Sequence, residues 1–231
     1  MIPLRPGRLS AVLVVLTCLI AVGGLYSNLG IYIFTDPSPV TVSLFKEFQL
    51  DNEGNIPTWY SSLILAFNGL LLLLLGPATR RAGLPDGSYW SVLGAVFLLL
   101  SLDETAALHE KAGLFVSPLI SDGPVLPFGW VLIAAPLVAI LGVIYLRAIL
   151  RLPTRTRLLF VLSGVLYVLG AMGIEALGWA YRLAQPGWSF AYIMLTFVEE
   201  MLELIGQTLF ACVLLHLLAS RSASFRFTAA P

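Results

Sequence analysis

Apolar residues run along this chain in stretches near twenty long, and the short segments between them hold most of the prolines and charges. An α-helix rises about 1.5 Å per residue and the hydrocarbon core of a bilayer is about 30 Å thick, so each stretch is about one membrane crossing long. Apolar length read against helix breakers predicts six spans, at Ser10–Phe34, Thr58–Gly76, Tyr89–His109, Gly129–Leu150, Leu158–Arg182 and Phe190–Leu218. Between the first two, Thr35–Pro57 is polar, but Val42, Phe45 and Phe48 recur at three-residue spacing with Leu44 beside them. That pattern fits a short amphipathic helix on the outer surface, or a simple loop. After the third span, Gly113–Phe128 carries Pro118, Pro124 and Pro127, which predict a lid, a re-entrant segment or an interfacial loop instead of a regular helix.

Composition agrees with this reading: 58% of the residues are apolar and 11% charged over 231 residues. The expected fold is an all-α integral membrane protein, a six-transmembrane-helix bundle forming a single domain over 1–231. The zero net charge says little about partners. Its distribution is more informative. Arg5, Arg8, Arg80, Arg81, Arg147, Arg151, Arg155, Arg157, Arg221 and Arg226 fall on one side of the predicted topology, against Lys46, Lys111 and Arg182 on the other. By the positive-inside rule both termini are cytoplasmic, in a multi-pass protein of the plasma (inner) membrane. Trp59, Trp130, Trp179, Tyr181 and Trp188 then fall at outer ends, with Tyr89 and Trp90 at an inner one, where interface anchors belong. The first apolar run continues to Phe34, too long for a signal-peptide core, so it is read as a retained helix. Cys18 and Cys212 lie within spans and predict neither a disulfide nor a thiolate metal site.

The candidate chemistry lies inside the spans. The third carries Asp103, Glu104, His109 and Glu110; in an unbroken helix Asp103 and Glu110, seven apart, share one face across Ala106 and Ala107. The fifth carries Glu175. The sixth carries Glu199 and Glu203 one turn apart, with Glu200 on the flank and Gly206 and Gln207 continuing the face. Counting about 1.5 Å per residue from the interfaces brings Asp103, Glu175, Glu199 and Glu203 to similar depths in the outer half, with Ser27 and Asn28 of the first span near the same level. Carboxylates converging in a membrane interior cannot all stay ionised without counter-charge, so the pattern predicts an outward-facing acidic cavity that is protonated or holds a cation. The bland account leaves Glu104 and Glu110 in surface water, pairs Glu200 with Arg182, and makes Asn68 interhelical glue.

An oxygen-rich site with one imidazole suits a divalent ion such as Mg, Mn, Fe or Zn. The expected metal ligands are Asp103, His109, Glu175, Glu199 and Glu203, with Glu104, Glu110 and Glu200 secondary. The first functional expectation is a small cation- or proton-coupled transporter. An alternative is a metal-dependent, hydrolase-like membrane enzyme acting on a lipid or lipid-linked substrate at the outer leaflet, with Asp103 or Glu199 as catalytic base. A third is a non-catalytic assembly subunit. The expected partners are the lipid bilayer and a cation or proton, with no nucleic acid, and a homo-oligomer is compatible with the pattern.

The run Ser101-Leu-Asp-Glu104 followed by His109-Glu110, with Ile56-Pro-Thr-Trp-Tyr-Ser-Ser62 at the start of the second span, resembles a group of uncharacterised bacterial multi-pass membrane proteins. The resemblance implies a bacterial plasma-membrane setting and carries no activity.

Overall fold

A computed structural model describes residues 5–34, 38–120, 127–185, 187 and 189–227. The helices are α1 (Pro6–Ile33), α2 (Pro39–Phe48), α3 (Ile56–Arg81), α4 (Gly87–Ala106), α5 (Leu108–Ile120), α6 (Val131–Leu150), α7 (Thr154–Val168), α8 (Glu175–Ala184) and α9 (Phe190–Phe227). A 3₁₀ turn, Pro127–Trp130, leads into α6, and a π-helical turn, Leu169–Ile174, joins α7 to α8 so that the two cross as one rod. No strand occurs among the described residues. Six helical rods are long and apolar enough to cross a membrane: α1, α3, α4, α6, α7 to α8, and α9 as far as Arg221. These correspond to the six predicted spans.

The helix starts follow from local chemistry. α2 begins where the Ser38 hydroxyl accepts from the Thr41 N–H, with Pro39 at the first helical position. Its anchor is Phe45, 2% exposed, so the amphipathic-helix reading of this segment is the correct one. α3 begins where Asn55 accepts from the Thr58 N–H. It ends with Arg80 and Arg81, whose charges suit the negative end of the helix dipole.

α9 and α3 form the spine and are the most enclosed of the spans. Buried polar groups tie them together: Asn68 Nδ2 donates to the Gln207 carbonyl at 3.0 Å, and the Gln207 side chain meets the Ser61 hydroxyl. α1 joins through the hydroxyls of Thr17, Tyr60 and Thr208. α4 packs closely along α3, where a Cβ on Gly94 would fall 2.8 Å from the Gly69 carbonyl oxygen. Towards the arginine-rich end the core is dry, built from Leu72, Leu75, Trp90, Phe160, Phe210 and Leu214. There Arg151 pairs with Asp86, and the Tyr145 hydroxyl donates to the Tyr89 carbonyl. α6 otherwise packs little beyond its chain neighbours and buries only Tyr145 and Ala148.

Two expectations are corrected. The third span ends at Ala106 and not His109, because Ala107 takes a left-handed conformation (φ 48°, ψ 46°) that breaks the helix. The segment after it is helical to Ile120, with Pro118 falling in its last turn. Pro124 and Trp188 lie outside the described residues.

Candidate functional site

The break at Ala107 is held by a carboxylate. Asp103, in the last turn of α4, accepts from the His109 backbone N–H at 2.8 Å through Oδ1 and meets the His109 ring Nδ1 at 2.9 Å through Oδ2. The expected sharing of a face by Asp103 and Glu110 is therefore lost, and His109 takes the place next to Asp103. The His109 ring packs edge-on against Trp130, their centroids 5.1 Å apart. Trp130 in turn donates its indole N–H to Glu175 Oε1 at 3.1 Å. Asp103, His109, Trp130 and Glu175 form a chain across the mouth of a cavity.

That cavity has a volume of about 670 Å³. It is lined by every acid and histidine singled out in the spans: Asp103, Glu104, His109, Glu110, Glu175, Glu199, Glu200 and Glu203. Glu199, Glu200 and Glu203 come from α9, Glu104 from α4 and Glu175 from the first turn of α8. Close approach of the π-helical turn to α9 requires Gly170, where a Cβ would fall 2.7 Å from the Glu199 carbonyl oxygen and 2.8 Å from Glu203 Cγ. Sequence reasoning missed Asp51 and Glu53, which also line the cavity. Their signal was their place just before the Asn55 cap, at the same end as the other acids. It missed Tyr167 and α6 as well. Ala134, Leu137, Val138 and Leu141 of α6, a span with no ionisable residue before Arg147, form one cavity wall.

The two ends of the cavity differ in chemistry. The mouth is acidic, with His109 and Arg182 as the basic groups among its described lining residues. The floor is apolar and aromatic. Phe160 and Phe210 meet edge-on with centroids 4.8 Å apart, Phe97 stacks on Phe210 at 5.0 Å, and Trp90, 1% exposed, lies behind Phe160. This cluster closes the cavity towards the arginine-rich end.

Outside the spans, the electrostatics of the mouth follow from crowding. The protein around the Asp51 carboxyl pushes its pKa up to about 6, against the opposing pull of Arg182. Burial, then the charge of Glu110, raises Glu53. Burial works against the charged His109 ring, but its hydrogen bond to Asp103 and the charge of that carboxylate outweigh it, and His109 binds its proton above the usual histidine range. Arg182 lies over the rings of Trp179 and Tyr192, 5.2 Å and 5.4 Å from their centroids.

Among the described residues no three His, Cys, Asp or Glu side chains converge closely enough to hold a metal ion. Asp103 is engaged by His109 and Glu175 by Trp130, which leaves Glu199 and Glu203 facing the open cavity from successive turns. Ser27 and Asn28 do not join the cavity lining: Ser27 donates to the Phe45 carbonyl under α2, and Asn28 reaches the Ile193 carbonyl at 3.5 Å. His216 lies on an exposed face of α9 and meets its own helix at the Cys212 carbonyl.

No curated protein and no solved structure matches the chain. A family profile described as a domain of unknown function (DUF8692) covers residues 10–218, nearly all of the helical bundle, and the chain belongs to that uncharacterised family.

Proposed function

We propose that this chain is a membrane protein that binds a positively charged group among Glu199, Glu203 and Glu104, exchanges protons for it, and works as a small proton-coupled transporter. The observation that carries this reading is a carboxylate-lined cavity open at one end of the bundle and closed at the other by Phe97, Phe160 and Phe210. One open end and one packed end around a site at mid-depth is what an alternating-access carrier needs in one of its two states. The positive-inside distribution of arginines supports an outward-facing mouth. The side-chain placement favours a compact organic cation or protons over a multi-ligand metal ion, because two or three carboxylates on neighbouring turns can neutralise a single charge without surrounding it.

The test is proton flux in proteoliposomes carrying an internal pH dye, driven by an imposed gradient of an organic ammonium ion. Flux that collapses in Glu199→Gln/Glu203→Gln supports the reading. Flux equal to that of empty liposomes for the wild type sinks it.

A further inference from the structure

The cavity is much larger and more apolar than a bare cation requires. Its volume of about 670 Å³ lies within the roughly 300–1,000 Å³ of pockets that enclose a drug-sized molecule. Below the carboxylates the lining turns apolar, with Phe97, Leu137, Val138, Leu141, Phe160 and Phe210 around the lower part. Water in such a compartment has few hydrogen-bonding partners, and an apolar chain would displace it with gain.

α6 supplies a way in. It is attached to α4 near the arginine-rich end, through Tyr145 and Tyr89 and through Arg151 and Asp86. At the other end Trp130, just before it, reaches Glu175. Between these attachments α6 has no broad packing face on α4 or α9, while its Leu137, Val138 and Leu141 line the cavity. The cavity is thus flanked on one side by a single loosely seated apolar helix next to the bilayer.

Resting on the cation reading above, we propose that the ligand is a single-chain amphiphile with a protonated amine head, which enters beside α6, places its head among Glu199, Glu203 and Glu104, and lays its chain against the aromatic floor. The charge at one end excludes a fatty acid or an anionic lipid by repulsion from the same carboxylates. The cavity of about 670 Å³ has room for an alkyl chain of the length of dodecylamine's.

The full chain in phosphatidylcholine nanodiscs is irradiated with dodecylamine bearing a diazirine in its alkyl chain, and crosslinks are mapped by peptide mass spectrometry. Crosslinks are expected on the cavity side of α6 and at Phe160 or Phe210, suppressed roughly tenfold by excess unlabelled dodecylamine and not by dodecanol. Val138→Trp, which fills the apolar part and leaves every carboxylate in place, should reduce the labelling to a similar degree. Competition by dodecanol equal to that by the amine, or labelling confined to lipid-facing positions such as Val143, overturns the proposal. Competition by ethylammonium as strong as that by dodecylamine also overturns it, yet leaves the cation reading intact. Labelling and competition unchanged in Glu199→Gln/Glu203→Gln would remove both.

Discussion

Asp103 holds His109 with both oxygens of one carboxylate, one on the backbone N–H and one on the ring. The pair fixes the start of α5 and the position of a titrating ring at the cavity mouth. Because His109 binds its proton more tightly folded than its ordinary 6.5, the stability from this pair is fully present below that value and is lost as pH rises through the higher folded value. Asp103→Asn should cost about 1 kcal/mol at acidic pH and much less at alkaline pH. Melting temperatures across that pH range read the slope directly, and parallel curves for wild type and variant would refute the argument.

Asp51 gives a second pH effect of its own. With its folded pKa raised to about 6 from 3.8 by the protein packed around it, its favourable contribution belongs to the protonated form and fades as pH rises through about 6. Asp51→Asn should therefore stabilise the protein at neutral pH and leave it nearly unchanged at pH values below about 4. A variant that melts lower than the wild type at neutral pH would mean that attraction to Arg182 outweighs the cost of drawing the carboxylate out of bulk water.

Glu199 and Glu203 crowd one cavity with Glu104 and Glu175, and nothing in the lining suggests that folding alone requires them. Replacing both with glutamine should raise the melting temperature by about 2–4 °C, the equivalent of about 1 kcal/mol in a chain of this size, while function is lost. A lower melting temperature would indicate that the carboxylates hold the helices together, as the assembly-subunit reading expects.

Gly170→Ala should be a costly glycine substitution at the cavity. Its Cβ meets the backbone of α9 at Glu199, which cannot give way, so a loss of about 1–3 kcal/mol is expected. Gly164→Ala, where nothing lies within 4 Å, should gain about 0.5–1 kcal/mol instead. Thermal unfolding of the two variants side by side checks both signs.

The six spans were legible because apolar length is a strong signal, and the acids converge because depth can be counted at a fixed rise per residue. What escaped the sequence was everything that depends on a local departure from the α-helix. The break at Ala107 needs a carboxylate four residues back to hold the next turn, and a pattern of sevens drawn across it pairs Asp103 with the wrong neighbour. α6 carries no mark of a cavity in its sequence because every one of its residues from Val131 to Tyr145 is uncharged, and an apolar cavity wall has the same composition as a lipid-facing one. Asp51 and Glu53 were passed over because acids in a polar connecting segment are ordinary, and only the fold of α2 against α1 brings that segment over the cavity.

The π-helical turn at Leu169–Ile174 sets the azimuth of everything after it. Closing a turn on the fifth residue instead of the fourth inserts one residue, which is about 100° of rotation about the helix axis. In an uninterrupted α-helix from Thr154 to Ala184, Glu175 would point about a quarter turn or more away from its present direction, off Trp130 and out of the cavity lining. A fifth rod wound evenly throughout would keep its length and its apolar character and still leave the acidic mouth one carboxylate short.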